Sequence, residues 1–135
     1  MNTDKYNQDA IRNSFRFLVD EFGYSITRNE EMSHDTRPYA FVIEYVGNDR
    51  RVYLSHDYKE RSFYFTVIRG HDTPYPNDGD NKNIRSFWQL FKDFEPQLDL
   101  KTLEPDNQTC AEAASINAQL LRKYASGILR VEELI

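Results

Sequence analysis

The sequence is poor in the residues that build the most recognisable sites, with one cysteine and five glycines among 135 residues. One cysteine excludes a disulfide within the chain. No two glycines are spaced as G-x-G and none precedes Lys-Ser or Lys-Thr, which excludes the usual phosphate-binding loops. No apolar run approaches the roughly 18 residues of a membrane span, and the first residues lack the apolar core of a secretory signal. We therefore expect a cytoplasmic protein.

Positive charge is also in deficit. The chain has 17 Lys and Arg against 22 Asp and Glu, a formal charge of −5. Proteins that neutralise nucleic-acid phosphates normally carry the opposite balance, so we expect no nucleic-acid partner. The deficit is local, because residues 71–112 hold nine acidic and four basic side chains. This segment is either a solvated acidic surface or a docking surface for a basic protein.

Length and composition predict one α+β domain over residues 1–135. Hydrophobic residues make up 39% of the chain, which is enough to form a core at this size. Residues 8–22 carry apolar side chains at helical spacing, and Gly23 is suited to end that helix because glycine tolerates positive φ. From residue 24 to 69 the apolar period is two, which predicts a four-stranded antiparallel meander. The predicted strands are 24–30, 39–46, 50–57 and 62–69.

Alternation along the last two of these strands assigns the faces of the sheet. Leu54 and Phe65 fall on one face, whereas Tyr53 and Tyr64 fall on the other. We expect helices to cover the first face and tyrosines to populate the second. The residues predicted to lie in the core are Phe15, Phe22, Phe63, Phe65 and Leu120.

The rest of the chain is predicted to contain a long loop and the C-terminal helices. Residues 71–83 are rich in Pro, Asp and Asn and have no periodicity, and this loop is longer than a routine connection. A short helix with one apolar side follows over residues 84–94. Thr109 and Glu112 have the spacing of a capping box for a helix that runs to about residue 125. We expect these helices to pack on one sheet face.

Three His-Asp pairs raise the possibility of a metal site. His56 and Asp57 are neighbours in a predicted strand, so they point to opposite faces and cannot bind the same ion. His34 and His71 lie in separate predicted loops. A metal site and solvated polar groups both remain open, and the geometry favours the second, so we expect no metal and no cofactor.

Cys110 is the remaining candidate for chemistry. It lies in the first turn of a predicted helix, where a thiol ionises more readily. A nucleophile also needs a base within hydrogen-bond reach, and no histidine is near Cys110 in sequence. The small neighbour Ala111 favours a packed thiol, and we assign no catalytic residue.

The segment that carries the excess negative charge is the predicted partner-binding region. Its acidic side chains would steer a basic partner, and an aromatic side chain would supply a buried anchor. The predicted partner-binding residues are Asp72, Tyr75, Asp78, Asp80, Trp88 and Asp93. The tyrosine-bearing sheet face is the alternative surface, because tyrosine is enriched where proteins bind proteins.

Two stretches carry a family resemblance, Phe15-Arg-Phe-Leu-Val-Asp-Glu-Phe-Gly-Tyr24 and Leu120-Leu-Arg-Lys-Tyr-Ala-Ser-Gly-Ile-Leu-Arg130. With the Tyr-rich strands and the tryptophan between them, they resemble a class of small bacterial proteins that includes immunity proteins of contact-dependent or polymorphic toxin systems. The resemblance implies an α+β fold and inhibition of a partner toxin by occlusion, with no catalytic residues.

The residues themselves leave a second class of function open. A small-ligand binder or an enzyme would place its pocket between the sheet and the C-terminal helices, as α+β folds often permit. A pocket of a few hundred Å³ with convergent polar groups would indicate that class. A filled core with an acidic outer surface would favour protein binding.

Overall fold

A computed structural model describes the fold. The residues it describes are 3–47, 49–59, 62–70, 72–75, 83–94, 96–97, 110–124 and 129.

The N-terminal helix is broken, whereas the sequence predicts one continuous helix over residues 8–22. The helix α1 spans Thr3–Ser14, and α2 is a single turn at Phe17–Asp20. Because of the turn between the two helices, Phe15 and Phe17 do not have to share one helical stripe. Both rings are buried, with centroids 6.3 Å apart. Gly23 ends the segment with φ +71°, which confirms the glycine cap.

Five antiparallel strands form the sheet in the order β1-β2-β3-β4-β5. The strands are β1 Ser25–His34, β2 Arg37–Val46, β3 Arg50–Asp57, β4 Ser62–Arg69 and β5 Ile84–Ser86. The antiparallel meander is confirmed, but the predicted count of four strands is wrong. The fifth strand arises because Ile84 pairs with Ile68 and Ser86 with Thr66. Three residues are too few for a period of two to be seen in the sequence.

The short helix α3, Phe87–Phe94, therefore begins after β5 rather than at residue 84. Ser86 occupies its N-cap position, and the side-chain oxygen of Gln89 accepts hydrogen bonds from the Ser86 backbone N–H (2.9 Å) and hydroxyl (3.1 Å). The bond to the Ser86 N–H is one of the two bonds of a capping box of the Ser-x-x-Gln type. It fixes the point where the chain changes from strand to helix.

The core lies between one face of the sheet and the helices. On β3, buried and partly exposed residues alternate, with Leu54 buried and Tyr53 partly exposed, as predicted. Of the predicted core residues, Phe15, Phe63 and Phe65 are buried, whereas Phe22 and Leu120 are partly buried against the core. Residues of α1 and α3 join the same cluster, which confirms that this sheet face is covered.

The last described helix, α4, spans Cys110–Lys123 and packs beside α1. Its buried stripe contains Ala114, Asn117 and Leu121, whereas Leu120 on the predicted stripe is partly exposed. Thr109, the predicted cap, lies outside the described residues. None of the helices in the described part of the chain is long and apolar enough to span a membrane.

The face of the sheet opposite the helices is called the outer face below. One row of cross-strand partners on this face runs through all five strands. The members of this row are Arg28, Glu44, Tyr53, Thr66 and Ser86. The outer face also contains the residues two positions along each strand from them.

Candidate interaction surface

Two of the six predicted partner-binding residues have described side chains. Asp72 is exposed and Tyr75 is partly buried. The side chains that lie outside the described part of the structure are those of Asp78, Asp80 and, within α3, Trp88 and Asp93.

Tyr75 lies on the outer face of the sheet. The centroid of its ring is 5.0 Å from that of Tyr53, with the two ring planes tilted by 56°. Its hydroxyl is 3.3 Å from the hydroxyl of Thr66 on β4. The sequence offered the acidic segment and the tyrosine-bearing sheet face as alternative surfaces, and Tyr75 joins the two.

Hydrogen bonds fasten the start of the acidic segment to the sheet. The Arg51 guanidinium donates to the carbonyl of Thr73 (2.8 Å), and the Thr73 hydroxyl donates to the carbonyl of Arg69 (2.5 Å). The backbone N–H of Gly70 donates to the carbonyl of Asp49 (3.0 Å). These bonds attach residues 70 and 73 to β3, to β4 and to the turn before β3, so the fold itself holds the chain around Tyr75 against the outer face.

The chain returns to the sheet at Asn83, the last residue of the predicted loop 71–83. The backbone N–H of Arg69 donates to the carbonyl of Asn83 (2.7 Å), and the Arg69 side chain donates to the Asn83 amide oxygen (2.9 Å). The chain therefore leaves the sheet and returns to it at one place.

Charged side chains form a paired network around Tyr53. Arg28 contacts Glu30 at 2.7 Å, and Arg51 lies 3.6 Å from Glu44. The hydrogen bond to Glu30 raises the pKa of Arg28; burial opposes this rise, and electrostatic interactions with Tyr53, Glu30 and Glu44 add to it. The network orients both guanidinium groups on the outer face.

The two arginines differ in how accessible they are. The Arg51 side chain is 13% exposed, because Glu44 and the Thr73 carbonyl both hold it against the sheet. The Arg28 side chain is 38% exposed, and its partner Glu30 is 50% exposed. Glu44, the partner of Arg51, is 21% exposed. In each pair the carboxylate is more exposed than the guanidinium group, so an approaching partner meets carboxylates more readily.

The side of the sheet that faces α1 carries a second polar cluster. The Tyr58 hydroxyl donates to the Glu31 carboxylate (2.7 Å), and the Gln8 amide donates to the same carboxylate (3.1 Å). The His56 ring lies 5.3 Å from that of Tyr58, and His56 is 2% exposed. An imidazole buried to this degree is not accessible to a substrate. The hydrogen bond from Gln8 of α1 to Glu31 of β1 joins the helix to the sheet.

The His-Asp pairs do not converge in the described structure. His56 faces the core while Asp57 is partly exposed, as their adjacent positions predict, and His34 is exposed at the end of β1. His71 lies outside the described residues. Within the ranges that the structure describes, no three His, Cys, Asp or Glu side chains form a group that could hold a metal ion.

A groove of about 320 Å³ lies between the α1–α2 segment and α4, not between the sheet and the C-terminal helices as predicted for a ligand pocket. Phe17 and Ala118 contribute to its lining. Its charged groups pair with one another, Arg16 with Asp20 at 3.1 Å and Arg122 with Glu21 at 2.5 Å. Because these charges are already neutralised in pairs, the groove offers a ligand no convergent charge. Between sheet and helices the described core is occupied by aromatic rings, such as Phe15, Phe65 and Phe91.

The residues predicted from the sequence to bind a partner do not include Arg28, Glu30, Glu44 or Arg51. Arg28 and Glu30 are two positions apart in a strand and so share a face, which is a signal that the sequence carries. Their nearness to Tyr53 depends on the register between β1, β2 and β3, which the sequence does not reveal.

Comparison of the chain with family models, with curated proteins and with solved structures gives no match in any of the three.

Proposed function

We propose that this chain is a stoichiometric protein-binding module, and that it acts as a cytoplasmic immunity protein that neutralises a bacterial toxin by occlusion. The partner is a protein with a basic surface. The observation that carries the proposal is the position of Tyr75, which lies on Tyr53 and brings the start of the acidic segment onto the outer sheet face.

Charge supports a basic partner. Residues 71–112 carry a balance of −5, nine acidic side chains against four basic ones. Such a surface accelerates the encounter with a positively charged protein, and it repels nucleic acid and anionic membranes. An inhibitor that acts by occlusion needs no catalytic group of its own.

Preorganisation supports tight binding. Two described residues of the acidic segment, Thr73 and Asn83, are hydrogen bonded to β3 and β4 through Arg51 and Arg69. Residues that are already held in place lose less conformational entropy when they bind a partner, so more of the contact energy appears as affinity. This suits a one-to-one inhibitor that must hold its target continuously.

The proposal is tested by searching for a large toxin gene directly upstream of the gene for this chain and coexpressing its product with the chain. We expect the chain to restore growth and to form a one-to-one complex with the purified toxin. The association rate should fall as salt concentration rises. Continued toxicity together with the absence of a complex would refute the function.

The part played by the acidic segment is tested with a matched pair of charge variants. Asp78→Asn with Asp80→Asn should lower the association rate at low salt. The double variant Asp9→Asn, Asp20→Asn makes the same change in net charge, but its substitutions lie on α1 and α2. It should leave the association rate nearly unchanged. Equal rates for the two double variants would show that the segment only solvates the protein.

A further inference from the structure

We infer that the outer sheet face around Tyr53 and Tyr75 binds an arginine side chain of a basic protein partner. The inference rests on the proposed function and names the chemistry that the partner presents. Its basis is the arrangement of aromatic rings, carboxylates and existing guanidinium groups on this face.

The aromatic part of the surface is the Tyr53–Tyr75 pair. Both tyrosines are partly exposed, and their ring centroids are 5.0 Å apart. Tyr75 is held in place from its hydroxyl, near Thr66, and from the backbone of Thr73. A planar guanidinium group is attracted to the electron-rich face of such a ring, and tyrosine and arginine are enriched at the centres of protein interfaces.

The electrostatic part is an excess of carboxylates on the same face. Among the described residues of the outer face and the docked start of the acidic segment, four carboxylates accompany the two arginines Arg28 and Arg51. These carboxylates are Glu30, Glu44, Asp57 and Asp72. Arg51 is held by Glu44 and Thr73, so the accessible charge of this region is negative.

The same face already stabilises a guanidinium group. Arg28 donates to Glu30, and the nearby Glu44 carboxylate also favours its charged form. Arginine is preferred to lysine here because its flat group stacks on a ring and donates to a carboxylate at the same time. An incoming arginine would therefore use Tyr53 or Tyr75 as its platform and Glu30 or Asp72 as its counter-ion.

The inference is tested with two short peptides and the folded chain alone. The probes are acetyl-Arg-Gly-Arg-Gly-Arg-amide and its lysine counterpart, added at low salt while backbone amide shifts are recorded by NMR. We expect the arginine peptide to bind about two to five times more tightly than the lysine peptide. Its shifts should centre on the outer-face row and on residues 72–75.

Variants locate the site and control for charge. Tyr53→Leu should weaken arginine-peptide binding about two- to fivefold, whereas Tyr53→Phe, which keeps the ring, should stay near wild type. Glu30→Gln should weaken it as well. Tyr39→Leu and Asp20→Asn are the matched controls, because both residues are exposed elsewhere, and they should leave binding unchanged.

The outcome can contradict the inference in two ways. Equal binding of the two peptides would show that the face does not select arginine. Shifts centred on α1 and α4, or wild-type binding by a folded Tyr53→Leu variant, would show that the tyrosine pair is not the site. The peptides report on the chain alone, so this result is independent of whether the chain neutralises a toxin.

Discussion

At the scale of single residues, Phe65 lies where the sheet and the helices meet. It is fully buried, and the ring centroids of Phe15, Phe87 and Phe91 lie 5.7, 5.8 and 5.6 Å from its own. We expect Phe65→Ala to lower the free energy of unfolding by about 3–5 kcal/mol, through lost burial and the cavity left behind. Urea titration measures this loss, with Val19→Ala at an exposed position as a control expected to cost under about 1 kcal/mol. A loss for Phe65→Ala as small as that of the control would mean that the sheet faces are reversed.

Tyr45 makes the stability of the protein depend on pH in the alkaline range. Burial raises the pKa of its hydroxyl from 10.0 to about 12, and the charge of Arg12 opposes part of this rise. The unfolded chain therefore loses this proton at a lower pH than the folded chain does. The resulting stability is complete below pH 10 and is lost as the pH rises through about 12.

We expect this loss to amount to about 2–3 kcal/mol of unfolding free energy. Urea titrations between pH 9 and pH 12 should show a shallower decline for Tyr45→Phe than for the wild type. Tyr39→Phe, at an exposed tyrosine of the same strand, should retain the wild-type decline. Parallel curves for all three proteins would count against the buried hydroxyl as the cause.

At the scale of secondary-structure elements, the join between β5 and α3 depends on Gln89. Its side-chain oxygen accepts two hydrogen bonds from Ser86 and so closes the first turn of α3. We expect Gln89→Ala to destabilise the protein by about 0.5–1.5 kcal/mol. The matched control is Gln119→Ala, whose amide donates to the Ser115 hydroxyl on the exposed side of α4 and should change stability little. Equal losses for the two variants, measured by thermal unfolding, would argue against the capping box.

Elements with a clear period were predictable from the sequence. The bounds of β3 and β4 agree with the predicted ranges 50–57 and 62–69, because apolar and polar residues alternate in both. Elements that form only by pairing with residues distant in sequence were not predictable. The strand β1 extends to His34 through pairing with β2, although its sequence is mostly polar, and β5 exists only through its pairing with β4.

The break between α1 and α2 shows a different limit. Apolar residues from Ile11 to Phe22 fit one helical stripe, yet Phe17 lies off that stripe and is buried, while Val19 lies on it and is 37% exposed. Burying both Phe15 and Phe17 favours a turn over a continuous helix. The sequence pattern does not reveal this gain in burial, because the gain depends on the shape of the sheet beneath the helices.

The candidate surface was predictable in its parts but not in its assembly. The excess of acidic residues and the tyrosine-bearing face both follow from the sequence. The contact of Tyr75 with Tyr53 joins residues far apart along the chain, and no local pattern encodes such a pairing. The orientation of Arg51 toward the Thr73 carbonyl is equally a product of the fold.

At the scale of the whole molecule, the described fold is held by an aromatic core, and the sequence predicts no metal. We expect the melting temperature to be the same with EDTA as with added Mg²⁺, Ca²⁺ or Zn²⁺. Native mass spectrometry should give the mass of the chain alone. A metal bound at one equivalent and lost in His56→Ala or His71→Ala would overturn this expectation.

The closure between Arg69 and Asn83 has a consequence for how the protein can vary. The two ends of the intervening segment are adjacent and hydrogen bonded to each other, so the length of chain between Tyr75 and Asn83 is uncoupled from the pairing of β4 with β5. We expect that residues after Tyr75 and before Asn83 can be exchanged or inserted while that ladder keeps its register, whereas Thr73 and Tyr75 contact the sheet directly. The same scaffold is thus able to display different segments, as an antibody framework displays its loops, and a change of binding partner would require new residues in one stretch of chain only.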